Sequence, residues 1–162
     1  YAEQFPNLFT RENEMAHLTA SCWIVNPART KVLMAYHNIY DSWAWLGGHA
    51  DGMEDLLSVA LKEANEESGV QAEPIVDDIF SVEILGVAGH VKRGKYVSSH
   101  LHLNVTYLLE ADEGQTLREK PDENSAVRWF ALPDVLPNTR ESEMRVVYQK
   151  LMDKCAAMAA SK

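Results

Sequence analysis

The stretch GGHADGMEDLLSVALKEANEESGV, from Gly47 to Val70, constrains the fold more than any other part of the sequence. Residues 55–68 carry leucine and alanine at the spacing of an amphipathic helix. A Gly47–Gly48 pair precedes this segment, and Gly69 follows it at the position of a helix C-cap. The pattern therefore predicts a helix that follows a tight glycine loop and packs its apolar face against another layer.

Three glutamates lie close together on this helix. At about 100° per residue, Glu63, Glu66 and Glu67 fall on a face beside the apolar one. Acidic helix faces are commonly just solvated, but here Lys62 alone offers a basic partner at helical spacing. Hard divalent cations such as Mg²⁺ and Mn²⁺ prefer carboxylate oxygens and would relieve the repulsion. The glutamates therefore predict a metal site.

Segments typical of β-strands lie on both sides of the helix. They are rich in β-branched and aromatic residues, and turn sequences separate them. The predicted strands are residues 17–26, 31–38, 79–90, 100–111 and 125–132, with a brief alternation at residues 42–46. A C-terminal helix with an apolar stripe is predicted at residues 141–160. This order predicts an α/β fold with a central mixed sheet between helices. At 162 residues, the chain is predicted to be one domain, residues 1–162.

The same stretch closely resembles the Nudix box, G-x5-E-x7-R-E-U-x-E-E-x-G-U, where U is aliphatic. The matching residues are Gly48, Glu54, Glu63, Glu66, Glu67, Gly69 and Val70, all in register. The chain is thus identified as a member of the Nudix (MutT-like) family, with a GGHxD variant at the start of the box. The resemblance implies the family's α/β/α sandwich and a Mg²⁺- or Mn²⁺-dependent hydrolase. Such enzymes cleave a nucleoside diphosphate linked to another group by attack of water on phosphorus.

The resemblance also implies roles for the box residues. The side chains of Glu63, Glu66 and Glu67 are expected to be metal ligands, with Glu63 and Glu67 favoured, and one of the three to polarise the water. The carbonyl group of Gly48 is expected to join the metal shell, and Glu54 to brace the box.

Two positions depart from the family pattern. Lys62 replaces the usual arginine, and a lysine holds a carboxylate less firmly than the planar fork of arginine does. Lys62 is therefore expected to orient the glutamates more loosely. Ala64 occupies the aliphatic position inside the box, where a small apolar residue still suits a core.

Residues outside the box suggest a substrate pocket, although each has a plain structural alternative. Trp43 and Trp45 are two apart and share one side of a strand, where they would stack on a base or pack in the core. His49 follows Gly48 directly. His100 and His102 also share a strand face, but two histidines lack the third ligand of a zinc site, so phosphate contact or a structural role is favoured.

Two charged loops complete the set of candidates. Arg93 lies in the basic loop VKRGKYVSS, where it would clamp a phosphate or stay solvated at a hairpin tip. Many Nudix proteins place a further acidic residue on a late loop as general base. Glu123, in KPDENSAVRWF, is the candidate for that role.

Charge and cysteine content limit the other function classes. The formal net charge of −9 disfavours nucleic-acid and anionic membrane partners, so a small-molecule nucleotide or other diphosphate is the expected partner. No apolar run is long enough to span a bilayer, and no signal peptide is visible. Cys22 and Cys155 are predicted to be reduced, buried thiols, which is typical of a cytoplasmic protein.

Two alternative functions remain. One is a non-catalytic sensor on the Nudix fold, although such proteins tend to lose box glutamates that are all present here. The other is an isopentenyl diphosphate isomerase-like enzyme, which would need a reactive cysteine that Cys22 does not resemble. Substrate signatures that mark known branches of the family are absent. Some branches form homodimers, and nothing in the sequence decides this point.

Overall fold

The computed structural model describes residues 3–160 of the chain. The strands are β1 (Ala16–Val25), β2 (Lys31–His37), β3 (Ser42–Ala44), β4 (Leu46–His49), β5 (Glu73–Pro74), β6 (Ser81–Val87), β7 (His90–Lys92), β8 (Lys95–Val97), β9 (His100–Glu110) and β10 (Asn124–Ala131). The helices are α1 (Leu56–Ser68), α2 (Leu132–Val135) and α3 (Ser142–Ala160), and a 3₁₀ turn, Leu136–Asn138, lies between the last two.

Eight of these strands form one mixed sheet. Its order is β10–β2–β1–β9–β5, with β3 paired to β2, β4 to β1 and β6 to β9. The β1–β9 pair is parallel and its neighbours are antiparallel. The parallel register places His17 beside His102 and Thr19 beside Asn104. Residues far apart in the sequence therefore meet at the centre of the sheet.

Alternate residues of β1 and β9 face two separate hydrophobic clusters, as the period of a strand requires. Towards α1, the sheet packs Ala20, Cys22, Ile24, Val105, Tyr107 and Leu109 against Val59, Ala60 and Ala64. Towards α3, it packs Trp23, Val25 and Leu108 against Met144, Tyr148 and Leu151. The prediction of a mixed sheet between helices, with a C-terminal helix, is confirmed.

A buried polar network also lies on the α3 side of the sheet. The Glu83 carboxylate, 5% exposed, accepts hydrogen bonds from Ser81, Asn104 and Thr106 and pairs with the Lys150 ammonium group. Burial alone would raise the pKa of Glu83, but the bonds from Lys150 and the three neutral donors outweigh it, and the pKa is lowered. The network therefore joins β6, β9 and α3 through one ionised carboxylate.

Replacing Lys150 with methionine is expected to cost about 1–2 kcal/mol of the free energy of unfolding. This is less than the roughly 3–5 kcal/mol for breaking a fully buried pair, because Lys150 is 41% exposed and Glu83 keeps its neutral donors. A lowered pKa adds stability above the pKa of the unfolded chain, and this is lost as pH falls through the folded value. Urea unfolding should therefore show that the difference in the free energy of unfolding between variant and wild type becomes smaller as the pH falls. A gap that widens in acid would contradict this account.

The structure corrects several predicted boundaries. The strand predicted at residues 79–90 spans only Ser81–Val87, because its partner β9 begins at His100, opposite Val87. The basic segment that follows is a separate hairpin of β7 and β8, where a joining loop was expected. The short β5 and α2 were not predicted. Within residues 3–160, no helix is both long and apolar enough to cross a membrane.

Candidate active site

Helix α1 carries the glutamates, and its ends are fixed by local capping. The Asp55 carboxylate accepts hydrogen bonds from the backbone N–H of Ser58 at 3.2 Å and from its hydroxyl group at 2.7 Å. At the other end, Gly69 adopts φ of 83° and donates its N–H to the carbonyl oxygen of Asn65. A glycine suits this left-handed position, so the helix ends at Ser68, one residue after Glu67.

Strand β4 brings the backbone of the glycine pair against the helix. Gly47 and Gly48 lie opposite Ser21 and Ala20 of β1. A Cβ atom added at Gly48 would lie 2.5 Å from the carboxyl carbon of Glu63. A glycine therefore lets the main chain approach the Glu63 carboxylate closely, and a larger residue would displace that carboxylate.

The Glu67 carboxylate is almost enclosed, with 4% of the residue exposed. Its Oε1 atom accepts a hydrogen bond of 2.9 Å from the backbone N–H of Gly47. Burial raises the pKa of Glu67 to about 8, and the neighbouring Glu123 and Glu63 carboxylates add to the rise. Burial and the two neighbouring carboxylates therefore disfavour the ionised form of Glu67.

Three carboxylates converge at this point. One oxygen each from Glu63, Glu67 and Glu123 lie within 4.8 Å of one another. Burial raises the pKa of Glu63, and the Glu66 and Glu123 carboxylates raise it further. Glu123 belongs to the loop before β10, so this group joins the helix to a distant loop.

Glu66 lies outside this group, although it neighbours Glu67 in the sequence. Its side chain is 40% exposed, and its oxygens lie 4.0 Å from Lys62 Nζ and 3.8 Å from Lys120 Nζ. Successive helical residues point about 100° apart, so Glu67 faces the sheet while Glu66 faces the rim. The three glutamates were expected to share one face, but only Glu63 and Glu67 point into the cluster, and Glu66 points away from it. Lys62 contacts Glu66 rather than the buried pair.

Lys120 is a site residue that the sequence analysis missed. Its Nζ atom lies 3.1 Å from Glu123 Oε1 and close to Glu66. Partial burial lowers the pKa of Lys120, but the hydrogen bond to Glu123 outweighs this effect and the pKa is raised. No sequence pattern marks this lysine, because its importance comes from the fold of the loop.

Asn124 fixes the loop that carries Glu123. It is 1% exposed, donates to the carbonyl oxygen of Glu67 at 3.0 Å and accepts from the backbone N–H of Lys120 at 3.1 Å. The backbone N–H of Asn38 also donates to the carbonyl oxygen of Glu123. Asn124 therefore ties the end of α1 to the loop, and it was also missed by the sequence analysis.

Replacing Asn124 with alanine is expected to destabilise the fold and release Glu123. The change leaves the buried Glu67 carbonyl and the partly buried Lys120 N–H without their partner, at a cost of about 1–3 kcal/mol for the buried group. Chemical denaturation should measure the loss of stability. Hydrolytic activity per folded molecule should also fall. A variant with unchanged activity per folded molecule would show that Glu123 needs no such anchor.

The two tryptophans lie on the other face of the sheet. Trp43 and Trp45 both pack against the cluster beneath α3, which confirms that they share a side. The Trp43 ring lies 4.8 Å from that of Phe130, and the backbone N–H of Trp45 donates to the Tyr148 hydroxyl. These contacts are core packing. The structure does not bring either ring to the three carboxylates.

Two further candidates are exposed. Glu54 precedes the helix cap on the surface. Arg93 occupies the tip of the β7–β8 hairpin with φ of 52°. The expectations that Glu54 supports the box and that Arg93 binds a phosphate stay predictions.

The histidines gather on the sheet face opposite the carboxylates. The His49 and His102 rings lie 5.1 Å apart, those of His100 and His102 lie 5.0 Å apart, and His17 contacts all three. Burial lowers the pKa of His17, that of His49 to about 4 and that of His102 to about 3. His17 was missed, because in the sequence it is only the start of a strand.

The cluster of the Glu63, Glu67 and Glu123 carboxylates has the chemistry that a hard divalent cation requires. It offers oxygen ligands from three side chains, and burial together with the neighbouring carboxylates raises the pKa of Glu63 and of Glu67, an effect that a bound cation would counter. These residues fit Mg²⁺ or Mn²⁺.

Comparisons with known proteins agree with this geometry. The model of the NUDIX domain family matches residues 15–151. No curated protein matches the chain. Among solved structures, an Ap4A hydrolase from C. elegans in a binary complex is 20% identical, with 90% of this chain and 98% of that chain covered and a TM-score of 0.64.

Two other solved structures are similar. A UDP-X diphosphatase is 21% identical with a TM-score of 0.63, and the match covers 88% of this chain and 63% of that one. A MutT protein from Bacillus halodurans is 18% identical with a TM-score of 0.53, over 83% and 81% of the two chains. These likenesses confirm the predicted α/β/α fold. Because the family model spans most of the sequence and the box glutamates occupy α1 beside the glycine strand, the chain belongs to the Nudix family and is an enzyme of its pyrophosphohydrolase class.

Proposed function

We propose that this enzyme uses Mg²⁺ or Mn²⁺ to hydrolyse the pyrophosphate link of a small nucleoside diphosphate derivative. The convergence of Glu63, Glu67 and Glu123 within 4.8 Å is the observation that carries the proposal. Three carboxylates at this separation repel one another unless a cation or protons lie between them. A diphosphate substrate adds further negative charge, so a cation serves both groups.

Glu63 and Glu67 are the proposed principal ligands, with the Gly48 carbonyl group beside them. The bound cation would offset the charge of the diphosphate and acidify an attacking water. Glu67 is held by the Gly47 N–H, and the Glu63 carboxylate lies close to the Gly48 backbone. The Glu67 carboxylate is therefore placed before substrate arrives, which lowers the cost of ordering the site.

Glu123 is the proposed acceptor of the proton from the attacking water. It lies on a loop facing α1 and is 37% exposed on its side chain, so water reaches it. The Lys120 ammonium group lies 3.1 Å from Glu123 Oε1 and pairs with this carboxylate. Glu66 and Lys62 form the outer rim, where they would orient rather than hold the cation.

A nucleotide is the proposed substrate class, either a nucleoside triphosphate or a nucleotide sugar. Two similar structures are named Ap4A hydrolase and UDP-X diphosphatase, and both names denote nucleotides with a phosphoanhydride link. His49, His100, His102 and Arg93 stay candidates for substrate contacts, whereas Trp43 and Trp45 pack in the cluster beneath α3.

The isomerase alternative loses support from the surroundings of Cys22. Its thiol is buried in the α1-side cluster and donates to the carbonyl oxygen of Ala60 at 3.0 Å. Burial raises its pKa well above the ordinary value. A thiol in this state is a poor nucleophile or acid. The sensor alternative predicts nucleotide binding without turnover.

The test is cleavage of a panel of nucleoside triphosphates, dinucleotides and nucleotide sugars in ¹⁸O-labelled water, with Mg²⁺ or Mn²⁺ and with chelator. We expect one class to be cleaved only with metal, with one ¹⁸O atom in a phosphate product. Cleavage that chelator does not reduce would contradict the proposed metal chemistry. Tight binding without cleavage across the panel would favour the sensor.

A further inference from the structure

Four histidine rings from three strands meet on the sheet face opposite the carboxylate site. They are His17 of β1, His49 of β4, and His100 and His102 of β9, which we call the histidine cluster. The His17 ring centre lies 4.9 Å from that of His100 and 5.0 Å from that of His102. One ring nitrogen each from His17, His100 and His102 all lie within 4.8 Å of one another.

Hydrogen bonds to backbone carbonyl groups fix which ring nitrogen carries the proton in His17 and in His100. His17 Nδ1 lies 3.0 Å from the carbonyl oxygen of Asn13, and His100 Nδ1 lies 2.8 Å from that of Ser98. A carbonyl oxygen only accepts, so each Nδ1 carries the proton and each neutral ring keeps a lone pair on Nε2. Histidines that bind metals show this arrangement, with one nitrogen donating to a carbonyl group and the other facing the ion.

The inward nitrogen of His17 lacks a partner. The residue is 5% exposed, and its Nε2 atom has no hydrogen-bond partner within residues 3–160. A buried polar atom without a partner costs free energy, so such an atom points to a missing ligand.

The spacing of the other two nitrogens suits a tetrahedral ion. His100 Nε2 and His102 Nε2 lie 3.2 Å apart. Zinc–nitrogen bonds of about 2.0–2.1 Å in tetrahedral geometry place two ligand nitrogens about 3.3–3.4 Å apart. An N–H···N hydrogen bond between the two rings also gives a distance near 3.2 Å, and the experiment below separates the two.

We propose that His17, His100 and His102 form a binding site for a borderline transition metal, foremost Zn²⁺, distinct from the carboxylate site. Imidazole nitrogen suits Zn²⁺, whereas Mg²⁺ prefers oxygen. Three protein ligands leave a fourth position for water or for His49, whose ring lies 5.3 Å from that of His17. The nearby Arg11 charge is offset by Asp51, which it contacts at 2.9 and 3.0 Å.

Such an ion would join β1 to β9 near the first residues of both strands. It would also lie beside His49, the residue directly after Gly48 of the carboxylate site. The sequence alone offered only the His100–His102 pair. The third ligand became visible through the parallel register, which sets His17 opposite His102.

The test is titration of the metal-stripped chain with Co²⁺, with Mg²⁺ in excess to occupy the carboxylate site. Tetrahedral Co²⁺ absorbs strongly in the visible range, and octahedral Co²⁺ on oxygen ligands absorbs weakly. We expect one equivalent to give the strong bands, which Zn²⁺ then removes by displacement. Weak bands only, or none, would overturn the proposal.

Variants locate the site and separate it from the carboxylates. His100→Gln and His102→Gln are each expected to weaken Co²⁺ binding by more than about 100-fold, because even outer-shell changes cost up to that amount. Glu67→Gln and the matched His90→Gln should bind as wild type does. Strong bands that survive in both His100→Gln and His102→Gln, or that disappear in Glu67→Gln, would contradict the assignment.

A measurement on the wild-type chain needs no variant. Imidazole ¹⁵N spectra should show the Nε2 resonances of His17, His100 and His102 shifting on Zn²⁺ addition, while those of His90 and His37 stay in place. Unchanged resonances in the cluster would overturn the proposal. This result does not depend on hydrolysis, so the metal site and the proposed function can fail separately.

Discussion

Replacing Glu67 with glutamine is expected to reduce hydrolytic turnover by more than about 100-fold while the protein stays folded. The glutamine keeps an oxygen that accepts the Gly47 N–H, so the local geometry is preserved. It removes the negative charge of Glu67 from the cluster that this residue forms with Glu63 and Glu123. Because changes outside the ligand shell already cost up to about 100-fold, the loss of a principal ligand is expected to cost more.

The same substitution is expected to stabilise the metal-free protein. Glu67 is 4% exposed and its pKa is raised to about 8, so at higher pH folding places an unfavourable charge in the site. A group with a raised pKa in the folded state holds its proton there, and stability falls as pH rises from the unfolded to the folded value. Thermal unfolding with chelator at pH 8 should show the variant melting above the wild type. Added Mn²⁺ should raise the melting temperature of the wild type more than that of the variant.

Glu66→Gln is the matched control for Glu67→Gln. It makes the same chemical change one residue earlier, on a side chain that is 40% exposed and faces two lysines. We expect a smaller loss of turnover and little change in the Mn²⁺ effect on melting. Equal losses in the two variants would show that the cation is held as the box resemblance implies, with Glu66 as a full ligand.

Replacing Gly48 with alanine is expected to reduce turnover by about 100-fold with little loss of stability. The new methyl group would lie 2.5 Å from the Glu63 carboxyl carbon, which is the end of a flexible side chain. The carboxylate can swing away, so the fold survives. Displacements of about 1 Å in a catalytic group are enough for a loss of this size. Kinetics together with urea unfolding measure both quantities.

Gly47→Ala, in contrast, is expected to reduce the free energy of unfolding strongly. Its methyl group would lie 2.5 Å from the carbonyl oxygen of Ala20, a backbone atom of the central strand that cannot move alone. We expect a loss of at least about 2–3 kcal/mol of stability. Gly86→Ala is the control, because nothing lies within 4 Å of that added atom. Full activity in Gly48→Ala, or an unfolding cost equal to that of Gly47→Ala, would contradict the assigned contacts.

Much of the fold was predictable because its signals are local. The predicted strands at residues 17–26, 31–38, 100–111 and 125–132 are confirmed to within a residue or two. Their β-branched residues and turns act over a few neighbours. The strand at residues 79–90 was predicted too long, because only its partner β9 decides where pairing ends.

The candidate site was predictable in part. The box spacing identified Glu63, Glu67 and Gly48, because a helix and a close backbone approach are written in consecutive residues. The resemblance favoured Glu67 over Glu66 as a ligand, but the spacing alone does not give their difference in exposure, since that depends on which side of α1 meets the sheet. It also gave no signal for Lys120 or Asn124, whose contacts cross from the loop to the helix.

By itself, the sequence determined the family, the reaction class and the helix that carries the carboxylates. Those properties follow from residues whose spacing along one helix or loop sets their geometry directly. Only the tertiary structure decided that Glu123 joins Glu63 and Glu67, that the tryptophans belong to the core, and that His17 completes a cluster with His100 and His102. Each of these depends on the register between strands or the packing of a loop, which sum many weak interactions over the whole chain.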